Sequence, residues 1–67
     1  MTAAEFEVLH EDEAERIIRW RFEVLSDAGY NWDEALQLAA HVEADLHIAT
    51  GLLNRGCPSG TALRILL

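Results

Sequence analysis

Sixty-seven residues leave room for one small domain, and a chain of this length hides only about 60% of the surface its unfolded form exposes. A lone cysteine, Cys57, excludes an internal disulfide, while 51% apolar residues in so small a body leave apolar surface outside and point to association with a partner or a second copy. Twelve acids against five bases give a net charge of −7, which argues against DNA or RNA as partner because nucleic-acid affinity rests on cationic contacts to phosphate.

The charge is uneven along the chain. Residues 1–50 hold every acid together with Arg16, Arg19 and Arg21, whereas residues 51–67 hold Arg55, Arg64 and no acid. An acidic front and a basic tail suit either a head-to-tail dimer or folding of one against the other. The opening MTAAEFEVLHEDEAE is acidic where a signal peptide begins basic. No apolar run approaches the ~18 residues a membrane span requires. A cytoplasmic location without membrane contact is the expectation.

Residues 1–10 form an N-terminal arm in which Phe6 and Leu9 either extend a helix backwards or fold over the domain; residues 11–67 form a single helical domain. From Glu11 to Ala28 the helical pattern is strong. Glu11, Asp12, Glu13 and Glu15 crowd its first turns, where carboxylates complement the helix dipole. Asp12–Arg16 and Glu15–Arg19 are i,i+4 pairs in the favourable acid-first order. Ala14, Ile17, Ile18, Trp20, Phe22, Val24, Leu25 and Ala28 span roughly 200° of the helical wheel, so packing on two sides is expected. Arg21 falls near the middle of that arc.

Gly29 reads as a Schellman-type stop with Tyr30 as its apolar hook, and Asn31 with Glu34 forms a capping-box pattern. So short a connection makes the two helices antiparallel neighbours. Beyond it, Ala35, Leu38, Val42, Asp45, Ala49 and Leu52 recur at helical spacing. Two readings follow. The favoured one is a single helix from Asp33 to Asn54, because neither Gly nor Pro interrupts residues 40–44. The alternative breaks the helix near residues 41–45, with Asp45 as the N-cap of a new one. Gly56-Cys57 repeats the stop, Pro58 stands as the first residue of a final helix with Ser59 as an alternative cap, and Thr61–Leu67 is a short apolar segment that must dock to be stable. Leu25, Gly29, Tyr30 and Ala35 echo Leu52, Gly56, Cys57 and Ala62, which marks two similar corners. The fold class is all-α: an antiparallel hairpin with a short C-terminal helix, three helices if the second is whole and four if it breaks.

Arg21 and Asp45 are each a charge on an apolar stripe, and hairpin register puts them about one turn apart. A structural ion pair that pins the register is the leading reading, ahead of N-capping by Asp45 and of a polar hot spot in a binding surface. His41, Glu43, Asp45 and His47 resemble a metal box, with Cys57 as a further ligand, but their i,i+4 pairs project from different sides of the helix, so no metal and no cofactor is expected. No base or oxyanion signature accompanies Cys57, which argues against an enzyme. Trp20, Tyr30 and Trp32 around the corner, with Leu63, Leu66 and Leu67 at the end, are the candidate interface residues.

The strings I-R-W-R (18–21), A-G-Y (28–30), D-L-H (45–47), G-C-P (56–58) and I-L-L (65–67) together resemble a group of short bacterial proteins, a resemblance that covers most of the chain and implies no activity. The shorter L-x-x-A-G-Y-x4-A-L at Leu25 to Leu36 resembles the first corner of ubiquitin-associated (UBA-like) three-helix domains. That resemblance implies partner binding through the corner loop and the last helix, and it requires a break near His41. The functional expectation is a non-catalytic protein-interaction module that forms a homodimer. A metal-sensing helical domain is one alternative, and a DNA-binding factor, disfavoured by charge, is another.

Overall fold

The computed structural model describes all 67 residues and is wholly helical. Its elements are α1 (Ala3–Glu7), α2 (Glu11–Ala28), α3 (Trp32–Ala40), α4 (Leu46–Asn54) and α5 (Ser59–Leu66). Helices α3 and α4 both pack on α2, and α5 packs on α3 and α4. The core between them is built from Leu25, Tyr30, Ala35, Leu38, Ala39, Ala49 and Ala62. Four of those seven are alanines, so the helices approach closely and little large apolar volume is enclosed. Only Leu25 and Leu38 are large side chains buried outright.

The two glycine corners form as the pattern predicts. Gly29 (φ 123°) and Gly56 (φ 88°) are the two residues with positive φ, a region that L side chains avoid. Each is followed by the same long backbone bond: Tyr30 N–H donates to the Leu25 carbonyl at 3.2 Å, and Cys57 N–H to the Leu52 carbonyl at 3.0 Å. The capping box is complete, because the Asn31 side chain accepts from Glu34 N–H while the Glu34 carboxylate accepts from Asn31 N–H, both at 2.9 Å. Pro58 is the cap residue of α5, not its first helical residue. Ser59 does not cap; its hydroxyl donates to Glu34 Oε2 at 3.0 Å and ties the start of α5 to the start of α3.

The single helix expected from Asp33 to Asn54 is interrupted. Helix α3 ends at Ala40, Val42 turns inward and is buried, and α4 starts after Asp45. Asp45 is the N-cap, accepting from His47 N–H at 2.7 Å and from Ile48 N–H at 3.3 Å. The cause of the break lies on α2. A helix that ends leaves its last carbonyls without intrahelical donors; in α3 those of Leu38 and Ala39 are met by the Arg21 side chain, which also reaches the carbonyls of His41 and Ala44 in the turn that follows. Had the helix continued, its own N–H groups would occupy the same carbonyls and the buried guanidinium would be stranded.

In the N-terminal arm α1 forms a short helix capped by Thr2, and Ala3 N–H donates to Glu43 Oε1 at 3.2 Å. Of the two i,i+4 pairs on α2, Glu15–Arg19 forms at 3.6 Å and Asp12–Arg16 does not. No helix is long and apolar enough to cross a membrane.

Candidate functional site

The predicted Arg21–Asp45 ion pair is absent, because each partner has a different commitment. Arg21 is 6% exposed, and Nε donates to the Ala39 carbonyl at 3.1 Å. The two hydrogens of Nη2 are shared among the carbonyls of Leu38, His41 and Ala44, each at 2.9 Å. Burial pushes the guanidinium below its ordinary pKa, and the Asp45 carboxylate offsets part of that shift through space. The side chain nevertheless stays charged at neutral pH. Asp45 itself is exposed and caps α4. Arg21 is thus a clamp on the α3–α4 junction, and the register of the bundle is set by backbone acceptors instead of a carboxylate.

Tyr30 is also internal. It is 4% exposed, and its hydroxyl donates to the Ala49 carbonyl at 2.8 Å, joining the α2–α3 corner to the middle of α4. Burial, then the neighbouring Cys57 and Glu34, push its pKa up. Leu63 and Leu66 are half-buried against the core. Those three leave the set of interface candidates, whereas Trp20, Trp32 and Leu67 remain exposed.

No three His, Cys, Asp or Glu side chains converge in a way that would hold a metal ion. His41, Asp45 and His47 are exposed, the Asp45 oxygen faces backbone N–H groups, and the Cys57 thiol turns to the Pro58 carbonyl at 3.6 Å.

The most developed concave surface is a groove of about 690 Å³ between α2 and α3. Its apolar end is formed by Ile18 and Phe22 from α2 and by Trp32 and Leu36 from α3. Trp32 is 66% and Leu36 42% exposed, and Trp32 meets Phe22 edge-on with ring centroids 6.1 Å apart. Its other end is formed by Glu11, Asp12, Glu15 and Arg19. The groove exists because α3 is short: nine residues rise about 13 Å against about 27 Å for the eighteen of α2. Trp32 is the one groove residue among the interface candidates that the sequence offers. Ile18 and Phe22 are legible only as parts of the roughly 200° apolar arc of α2, which predicts packing on two sides, and Leu36 lies outside the apolar stripe of the second helix.

Comparison with protein-family models, curated proteins and solved structures finds no match to this chain.

Proposed function

We propose that the chain is a non-catalytic protein-interaction module whose contact surface is the α2–α3 groove. One observation carries the reading: an exposed tryptophan and leucine on α3 stand beside Ile18 and Phe22 in an open groove, while the polar side chains at the helix junctions, Arg21, Glu34 and Asp45, are engaged in clamping or capping the fold. Aromatic anchors in apolar depressions with polar borders are the residues that dominate binding energy in protein interfaces. The test is retention of copurifying protein from the source cells by the natural chain and by a Trp32→Ala/Leu36→Ala double variant. Both side chains are largely on the surface, so the variant keeps its helical signal with a modest fall in melting temperature from the lost edge contact with Phe22, but loses the retained protein, while Trp20→Ala retains it. Unchanged retention by the double variant defeats the reading.

Self-association is a second reading, favoured by exposed apolar residues outside the groove. Trp20 is 58% exposed and lies beside Ile17 on the opposite side of α2, and Ile48, Ile65 and Leu67 are exposed on α4 and at the end of the chain. A homodimer would cover some of this surface and supplement a core rich in alanine. Sedimentation from micromolar to several hundred micromolar decides it: a particle of 7.5 kDa throughout removes the homodimer.

A further inference from the structure

We infer that the occupant of the α2–α3 groove is an amphipathic helix with basic flanks, supplied by another protein; this rests on the groove being the contact surface proposed above. The shape suits a helix. The α2 wall runs from Glu11 to Phe22, a rise of about 16 Å, which matches about three turns of a docked helix whose apolar anchors, an i, i+3 or i+4 pair, sit at the Ile18–Phe22 end. An extended strand would find no sheet edge to pair with in an all-helical fold.

The chemistry is graded along the groove. Trp32, Leu36, Phe22 and Ile18 offer an apolar seat at one end, and carboxylates stand at the other. Arg19 is drawn to Glu15 at 3.6 Å, which leaves Glu11 and Asp12 without an ion pair. Lysine or arginine beside the partner's apolar stripe complements those carboxylates, whereas acidic side chains or an anionic lipid surface are repelled by them.

A second copy of the chain fits less well. Groove against groove would set each acidic end either on the other copy's acidic end or on its apolar seat, and neither complements it. The acid-free helix α5 has Ala62 buried and Leu63 and Leu66 packed on its own core, so the large side chains it and its C-cap Leu67 expose to a partner are Arg64, Ile65 and Leu67. That is not a stripe three turns long.

The experiment titrates the full chain with three fluorescently labelled synthetic peptides: an amphipathic Leu/Lys helix, the same helix with Glu for Lys, and a scrambled control of the first. Binding is read by anisotropy and mapped by amide chemical shifts. The Leu/Lys helix binds at least about tenfold tighter than either other peptide, perturbs α2 and α3 around Trp32, and weakens as salt rises from about 50 to about 500 mM. Trp32→Ala weakens it at least about tenfold. A Glu11→Gln/Asp12→Asn/Glu15→Gln variant weakens it severalfold and flattens its salt dependence. Equal binding of the Lys and Glu helices, both lost in Trp32→Ala, overturns the basic partner while leaving the groove as the interface. Perturbations confined to the Trp20 or Ile48 faces, or no binding of the Leu/Lys helix, overturn the inference. So does a self-associated state that Trp32→Ala dissolves, because the occupant is then a second copy.

Discussion

Replacing Arg21 by Met keeps a long, flexible stem on the same apolar surface and removes every donor that Arg21 lends the α3–α4 junction. Four carbonyls then lose a donor: those of Leu38, Ala39 and Ala44 are left unpaired, while that of His41 keeps the Ala44 N–H. A hydrogen bond to a charged group contributes about 1.5–3 kcal/mol net, and a buried acceptor left unpaired costs about 1–3 kcal/mol. Not all four are fully buried, and three share one nitrogen, so the sum is smaller than four independent bonds; a loss of about 3–5 kcal/mol is expected, as for removal of one member of a buried charged network. At about 0.05–0.15 kcal/mol per residue, a chain of 67 residues has roughly 3–10 kcal/mol in all. Arg21→Met therefore brings the domain close to unfolding at room temperature. Arg21→Lys keeps the charge but not the planar fork that reaches Ala39 and the other carbonyls together, and is expected to cost about 2 kcal/mol. Urea titration followed by far-ultraviolet circular dichroism measures both. A loss below about 1 kcal/mol in Arg21→Met would show that water replaces the clamp without cost, and the explanation of the helix break would fail.

The remaining predictions concern the other polar ties. Asp45→Ala loses an N-cap and costs about 1 kcal/mol, while Asp45→Asn, an equally good cap, costs little; a large loss in Asp45→Asn, measured by the same titration, would restore the ion pair with Arg21. Tyr30→Phe removes the bond to Ala49 and costs about 1 kcal/mol at neutral pH. Because the folded pKa of Tyr30 lies above its ordinary value of 10.0, the unfolded chain ionises first: the contribution is fully present below that pH and is lost as pH rises through the folded value. Melting temperature should accordingly fall more steeply above about pH 10 in the natural chain than in Tyr30→Phe, and parallel profiles would contradict this. Glu34→Ala removes both the capping box and the tie to Ser59 and should cost about 2 kcal/mol, with Ser59→Ala adding little on that background because the two share one interaction.

The corners were legible because their determinants are local. A glycine at the C′ position, an apolar hook after it and an Asn–Glu box three residues apart specify Gly29–Glu34 almost independently of the rest of the chain. The same holds at Gly56–Cys57, which is why the echo between the two corners corresponds to a shared hydrogen-bond pattern. The break at residues 41–45 was harder to read because its determinant is 17 to 23 residues upstream. Nothing at the junction terminates a helix by propensity, and the apolar repeat through Val42 and Ala49 imitates continuity even though Val42 is buried from a turn. In the sequence Asp45 also reads as a cap, but the opposite charge of Arg21 offers a simpler partner. Charge sign alone does not distinguish a guanidinium that seeks a carboxylate from one that seeks several carbonyls, since both satisfy its planar set of donors.

The break also accounts for the surface on which the functional proposal depends. A helix continuing from Trp32 to Asn54 would rise about 34 Å and lie against the full length of α2, leaving neither wall free. Because Arg21 terminates α3 after nine residues, the chain turns across α2 and α4 packs elsewhere on it. Ile18 and Phe22, packed against the core on one side, border an open groove with Trp32 and Leu36 on the other, and Glu11, Asp12 and Glu15 line its far end. One buried arginine thus links stability to recognition. Weakening it shifts the population with an intact groove along with the folded state, so Arg21→Lys should lower partner affinity only to the extent that it lowers stability, whereas Trp32→Ala should lower affinity far more than the small loss of stability from its edge contact with Phe22.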